Sequence, residues 1–148
     1  MASHGRFPKT RRLVRPADFE RVYAFRNSAA SGPLVLYARP AGTGPSGGLR
    51  EPAPARIGLS VSRRIGNAVV RNRWKRRLRE AFRAVQGRLP PGSDLVVVVR
   101  SGAPPEGAAG AARVEQMIVS LAERVSSRRA YAAEAARVAG PPAREEHS

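Results

Sequence analysis

Apolar residues recur along the chain with two different periods, which separate predicted helices from predicted strands. In PADFERVYAFR, Phe19, Val22 and Tyr23 lie three and four positions apart, which predicts a short helix over about residues 16–26. In ARIGLSVSRR, apolar and small or polar residues alternate, which predicts a half-buried strand over residues 56–62.

Two further apolar runs predict strands. LVLYAR (34–39) lies between Ser-Gly-Pro and a proline, so it is expected to form a strand with Tyr37 on one face. SDLVVVVR (93–100) has a continuous apolar run, which is typical of an inner strand covered on both faces.

The longest predicted helix joins the strand at 56–62 to the strand at 93–100. Asn67 can cap its start, and Gly87 followed by two prolines can end it. A third helix is indicated by apolar residues at steps of three and four over about residues 114–125. The apolar stripe of the long helix consists of Val70, Trp74, Leu78, Ala81, Phe82 and Val85.

The order α-β-β-α-β-α predicts a small two-layer α/β (α+β) sandwich, with or without one extra short strand. We expect a basic N-terminal arm over 1–15 and a single domain over 16–126. Within the domain, 40–54 is rich in Gly and Pro and is expected to be a flexible loop. We expect a helix extension and a disordered tail over 127–148, with fraying past about residue 130.

Charge narrows the class of partner. The 148 residues carry a net charge of +16, and residues 56–88 hold eleven basic residues against one acidic residue. Such an excess favours a polyanionic partner. There is no cysteine, and the most hydrophobic run is too short to span a bilayer, so we expect a cytoplasmic protein without a membrane partner.

The charge of the long helix has an alternative interpretation, in which its arginines form a solvated face that binds no ligand. Glu80 is its one acidic residue, so pairing at i,i+4 cannot neutralise the helix, and like charges at that spacing oppose helix formation. Binding to phosphates would offset this cost.

Autonomous catalysis is not indicated. The only aspartates are Asp18, at a helix start, and Asp94, at a strand entrance, while His4 and His147 lie in predicted tails. No evident cluster of these residues could hold metal ions or form a nucleophilic triad, so we expect no catalytic residue and no protein-held metal site.

The aromatic residues allow two interpretations. Spacing alone favours Phe19 and Tyr23 as core residues. Tyr37 lies on a strand near Ser60 and Ser62, where a polar-tipped ring could stack on an unpaired base.

The run RIGLSVSRRIGNAVVRNRWKRRLREAF (56–82), with its Arg-Asn-Arg motif, resembles the signature of the bacterial ribonuclease P protein subunit. DFERVY, LVLYAR and DLVVVVR resemble that family's flanking blocks in the same order, so the similarity covers roughly 7–125. It implies a partner of a catalytic RNA that removes the 5′ leader of precursor tRNA, with Mg²⁺ held by the RNA and no small-molecule substrate. It also implies a left-handed β-α-β crossover through the basic helix, against the general handedness rule.

The resemblance assigns two sets of residues. It makes Phe19 and Tyr23 a partly open stacking face and leaves Val22 for the core. The expected catalytic-RNA contacts are Arg71, Asn72, Arg73, Lys75, Arg76 and Arg79, on a helix that borders the leader site. The expected leader cleft comprises Phe19, Tyr23, Tyr37, Ser60 and Ser62, with Arg63 and Arg64 at its edge.

Two segments depart from the family pattern. The loop 40–54 is longer and richer in Gly and Pro, and the C-terminal segment is extended and electrically neutral. The alternative function is a basic RNA chaperone or ribosome-associated protein without a defined cleavage role. Such a protein would more often spread its charge along disordered tails than cluster it on one helix beside an aromatic strand.

Overall fold

A computed structural model describes residues 12–41 and 54–139 of the chain. These residues form a mixed α+β fold with one four-stranded sheet, as the sequence predicts. In chain order the elements are α1 (Pro16–Phe25), β1 (Ser28–Ser31), β2 (Leu34–Pro40), β3 (Arg56–Val61), α2 (Ala68–Val85), β4 (Ser93–Val99), α3 (Gly107–Ser126) and α4 (Arg129–Ala139).

The sheet has the strand order β1-β2-β4-β3, which places β4 inside. β4 pairs antiparallel with β2 and parallel with β3. Leu95, Val96 and Val97 are fully buried, which confirms an inner strand covered on both faces. The helix α2 joins β3 to β4, so the crossover is the basic helix, and its handedness stays a prediction.

The main core lies between one face of the sheet and the helices α2, α3 and α4. Trp74 and Phe82 of α2 and Ile118 of α3 have no exposed surface, and each such side chain contributes roughly 1.5 to 3 kcal/mol by leaving water. The start of α2 is as predicted, because the Asn67 side chain accepts a hydrogen bond from the Val70 amide at 3.0 Å.

The helix α1 lies on the opposite face of the sheet and covers only part of it. Val22 of α1 and Val96 of β4 are fully buried there, together with Leu13. The Leu13 amide donates to the Ile57 carbonyl at 2.9 Å, which ties the segment before α1 to the edge of β3. Tyr37 of β2 and Val98 of β4, which pack against this cluster, are only partly buried.

Three features differ from the sequence predictions or lie outside the described residues. α3 begins at Gly107, before the first residue of its apolar stripe. Helical structure also continues as α4 to Ala139, so the prediction of fraying past about residue 130 is wrong for this segment. Tyr131 anchors α4, because its ring is buried and its hydroxyl is hydrogen-bonded to Ser93 of β4. Predictions for 1–11, 42–53 and 140–148 lie outside the described residues.

Candidate nucleic-acid interface

One half-open surface of the sheet carries a group of aromatic rings with a neighbouring hydroxyl group, here called the aromatic face: Phe19, Tyr23, Tyr37 and Ser60. The rings of Tyr23 and Tyr37 meet edge to face, with centroids 4.9 Å apart and an interplanar angle of 80°. Phe19 extends the row, with its centroid 6.4 Å from that of Tyr23. Rings from α1 and β2 thus form one continuous surface.

The aromatic face is polar as well as apolar. Burial raises the pKa of the Tyr23 hydroxyl above its ordinary value of 10.0, and a hydrogen bond with Ser60 partly opposes this shift. The hydroxyl therefore stays protonated at neutral pH and keeps its donor capacity. Such a surface can stack on bases and also hydrogen-bond to them.

Phe19 reaches the sheet because Gly58 has no side chain. A Cβ at position 58 would lie 2.7 Å from the Phe19 ring, which is too close for carbon atoms, and 3.2 Å from the Leu13 Cβ, which is tight. The ring therefore lies directly over the backbone of β3. Sequence reasoning did not single out Gly58, whose importance depends on the packing of α1.

Burial distinguishes Val22 from the aromatic residues around it. Val22 is fully buried, whereas Phe19, Tyr23 and Tyr37 are only partly buried. This is the partly open arrangement that the resemblance implies. Phe19 and Tyr23 also pack against the small core cluster of Leu13, Val22 and Val96, so their role as a stacking face stays a prediction.

The remaining residues of the predicted leader cleft follow β3. Ser62 is exposed, and Arg63 and Arg64 lie exposed in a single 3₁₀ turn over Arg63–Ile65. The turn leads directly into α2, so these arginines lie along the chain between the aromatic face and the basic helix. Their contact with a leader stays a prediction.

The basic helix lies on the other side of the sheet from the aromatic face. Ile57 of β3 packs in the core beneath α2, whereas its neighbour Gly58 packs against Phe19, because alternate residues point to opposite faces. The two candidate surfaces are therefore connected around one edge of the sheet. All the predicted catalytic-RNA contacts, namely Arg71, Asn72, Arg73, Lys75, Arg76 and Arg79, lie on the solvent side or flanks of α2.

Local contacts hold this helix in place. The fully buried Trp74 donates from its indole nitrogen to the Gly102 carbonyl at 2.9 Å, which fixes α2 against the loop after β4. The Nε of Arg71 donates to the Gly66 carbonyl at 3.2 Å, so this side chain is oriented over the helix start. The ion pair of Arg76 with Glu80 is long, at 3.5 Å, and exposed, so it holds the guanidinium weakly.

A groove of about 430 Å³ runs between α2 and the loop before α3. It brings Arg77 beside Arg73 and Arg76, against the rigid pair Pro104 and Pro105. Arg77 was not among the predicted contacts, although its spacing of four from Arg73 placed it on the same flank. Glu80 and Glu106 also line the groove, so a phosphate backbone would be favoured only at its arginines, which can donate paired hydrogen bonds.

The described part of the chain has no group of three or more His, Cys, Asp or Glu residues placed to hold a metal ion. Both aspartates have structural partners, Asp18 in an ion pair with Arg21 at 2.8 Å and Asp94 in one with Arg56 at 2.9 Å. Within 12–41 and 54–139, no helix is both long and apolar enough to cross a membrane.

Known proteins resemble this chain in sequence. The family model described as Ribonuclease P matches residues 7–126. The ribonuclease P protein component of Brevibacillus brevis is 40% identical over 94 residues, covering 64% of this chain and 68% of the relative. That of Gluconacetobacter diazotrophicus is 42% identical over 95 residues, covering 64% and 75%.

Solved structures show the same fold. The ribonuclease P protein of Thermotoga maritima superposes with a TM-score of 0.57 at 26% identity, covering 77% of this chain and 96% of that one. The protein from Staphylococcus aureus superposes with a TM-score of 0.54 at 27% identity, covering 79% and 93%. Because the family model spans most of the chain, from residue 7 to residue 126, the chain belongs to the ribonuclease P protein family.

Proposed function

We propose that this chain is the protein subunit of ribonuclease P. In this proposal it binds the catalytic RNA through α2 and the 5′ leader of precursor tRNA through the aromatic face. It thereby assists the endonucleolytic hydrolysis that gives the mature tRNA 5′ end. Mg²⁺ enters with the RNA, the bond is cleaved there rather than on this chain, and the protein works in the cytoplasm.

The observation that carries the proposal is the division of one small fold into two unlike surfaces. The helix α2 presents seven cations and one acid, which suits the phosphates of a folded RNA. The aromatic face presents partly open rings beside hydroxyl groups, which suits unpaired bases. An RNA chaperone would need the first surface but no ordered second one.

Each surface contributes in a distinct physical way. Cations on α2 release counterions from the RNA and so supply affinity that falls with salt. Rings on the aromatic face hold a single strand through stacking, which depends on the presence of a leader and only weakly on its sequence. Holding the leader beside a bound catalytic RNA would favour precursor over product.

Reconstitution tests the proposal. The purified chain is added to its ribonuclease P RNA and a precursor tRNA at low Mg²⁺, and release of the 5′ leader is followed on a gel. We expect the two together to remove the leader faster than the RNA alone, and the chain alone to leave the precursor intact. An equal rate with and without the chain would contradict the proposal.

A parallel assay distinguishes the proposed function from that of an RNA chaperone. The same chain is added to two complementary RNAs unrelated to tRNA, and their annealing is followed. A subunit of ribonuclease P should accelerate leader removal far more than annealing. Strong annealing without faster leader removal would favour the RNA chaperone.

A further inference from the structure

A recess opens at the edge of β3, on the side of the sheet that carries α2. The segment Arg12–Val14 runs beside β3, where Arg12 pairs with Ile57 in parallel. The helix α2 passes over the same edge, and the space between the segment and the helix is a cavity of about 190 Å³. No residue of this segment was among the predicted binding residues.

The recess is lined by apolar side chains and by three cations, Arg12, Lys75 and Arg79. Its floor consists of Ile57 and Phe82, both buried in the core, with the partly buried Leu59 beside them. Val14 forms one wall, and its 74% exposure is the greatest of any large apolar residue in the described ranges. The floor is therefore fixed by the core, whereas Val14 offers an apolar surface to a ligand.

Two cations of α2 lie at the same recess. Lys75 and Arg79 are one helical turn apart on one flank of the helix, and both line the cavity. A ligand that fills the recess therefore has a flat or apolar part against Val14 and Leu59 and an anionic part against these cations.

We propose that the recess binds one unpaired nucleobase of the catalytic RNA, with its adjoining phosphate on Lys75 and Arg79. A cavity of about 150 Å³ lined by apolar side chains can hold a benzene ring, so the volume suits one ring system. Bases taken out of a stack are held between apolar or aromatic side chains. A free phosphate would gain nothing from Val14, and the charge of α2 favours RNA over a protein partner.

This inference rests on the proposed function, because it assigns a base contact to an RNA that α2 is proposed to bind. It adds a non-electrostatic contact to a helix that otherwise contacts phosphates. Such a contact would fix the register of the RNA on α2, since phosphates repeat along every strand whereas an extruded base occurs at a defined place.

The test uses Val14→Thr, which keeps the shape and adds a hydroxyl, and Val14→Ala, with Val69→Ala as the matched control. Val69 is also an exposed valine (59%) and lies on α2 outside the recess. The full chain is titrated against its ribonuclease P RNA at several salt concentrations. The RNA in each complex is then probed with reagents that modify the pairing edges of all four bases.

We expect both Val14 variants to bind about fivefold or more weakly, because the base packs less well against the altered wall, with an unchanged salt slope. One base protected by the wild-type chain should become reactive. Val69→Ala lies outside the recess and should leave that base protected. Arg79→Ala should instead flatten the slope by about one unit.

A second measurement does not depend on stability. The chain has no cysteine, so Val14→Cys and Val69→Cys can each carry a single photo-crosslinker. The label at position 14 should attach to the base that the wild-type chain protects, and the label at position 69 should attach elsewhere.

Several outcomes would overturn the inference while leaving the proposed function in place. These are wild-type affinity and base reactivity in both Val14 variants, loss of protection of the same base in Val69→Ala, or a crosslink to a different nucleotide. A wild-type dimer that Val14→Thr converts to a monomer would show that a second copy fills the recess instead. Failure of the wild-type chain to bind the RNA would overturn the proposed function itself.

Discussion

Tyr37 is the residue that best tests reading of the leader. It lies on β2, and its ring is only partly buried, so the ring can be removed without opening the fully buried part of the core. The Tyr37 ring meets that of Tyr23 edge to face, with centroids 4.9 Å apart. A base stacked on the Tyr37 ring would contribute roughly 1 to 3 kcal/mol to binding.

We therefore expect Tyr37→Ala to weaken binding of precursor tRNA by the assembled enzyme about five- to a hundredfold. Binding of mature tRNA, which has no leader, should hardly change, and Tyr37→Phe should retain most of the precursor affinity. Filter binding with both tRNAs measures the difference, and a thermal melt checks folding. Equal weakening for precursor and mature tRNA would refute a leader contact.

Gly58 sets the position of Phe19 and gives a second test at the residue scale. In Gly58→Ala the new methyl group would meet the Phe19 ring at 2.7 Å. Because this ring is partly exposed, it can swing outward, so we expect a stability loss of only about 1 kcal/mol with a distinct loss of precursor affinity. Urea unfolding and the same binding assay separate the two effects.

Gly87→Ala is the matched control. No atom lies within 4 Å of the Cβ that would be added there, and its φ is not positive. This variant should keep both stability and precursor affinity. If Gly58→Ala behaves in the same way, then Phe19 need not lie on β3 to bind the leader.

At the scale of elements, α2 acts as an electrostatic unit. Its cations occupy an exposed ridge and two flanks, one at the groove of Arg73 and Arg77 and one at the recess of Lys75 and Arg79. If six or more phosphate contacts form, affinity for the catalytic RNA should fall on the order of 10³-fold between about 50 and 200 mM salt.

We expect Arg73→Ala, Arg76→Ala and Arg77→Ala each to flatten that salt slope by about one unit for every phosphate that the arginine binds. Arg137→Ala on α4 is the control, because it removes an arginine from a helix outside the proposed interface and should leave the slope unchanged. The slope is obtained by titration at four or five salt concentrations. Unchanged slopes in all three α2 variants would return this helix to the solvated-face interpretation.

At the scale of the whole molecule, one ion pair joins the two parallel strands between which α2 crosses. Arg56 of β3 donates to both carboxylate oxygens of Asp94 of β4, at 2.9 and 3.0 Å. The side chain of Asp94 is 3% exposed, whereas that of Arg56 is 39% exposed. Removing the carboxylate therefore leaves a guanidinium that water can partly solvate.

Asp94→Ala should lower the free energy of unfolding by about 2 to 3 kcal/mol, less than for a fully buried pair. Glu80→Gln is the comparison, because it breaks the exposed pair with Arg76 and should cost no more than about 0.5 kcal/mol. Denaturant midpoints measure both. Similar shifts in the two variants would mean that the ion pair of Arg56 and Asp94 stabilises the fold no more than an exposed pair does.

The sequence alone determined the elements and the character of the basic helix. Periodic patterns and bounded apolar runs depend only on neighbours along the chain, so β2, β3, β4, α1 and α2 follow from them, as does the Asn67 cap. The Arg-Asn-Arg run and its flanking blocks led to the family in the same way. These are local properties of the sequence, and they can be identified without knowledge of the fold.

The tertiary structure decided which residues meet. The closeness of Gly58 and Phe19 depends on where α1 crosses the sheet, and the recess beside Val14 depends on the pairing of Arg12 with β3. α4 is itself Ala-rich, with Tyr131 and Val138 as its two large apolar residues, and it is held by Tyr131 against Ser93, 38 residues earlier in the chain. Contacts between residues so far apart in sequence leave no periodic trace, because the free energy that fixes them comes from burial in the finished fold.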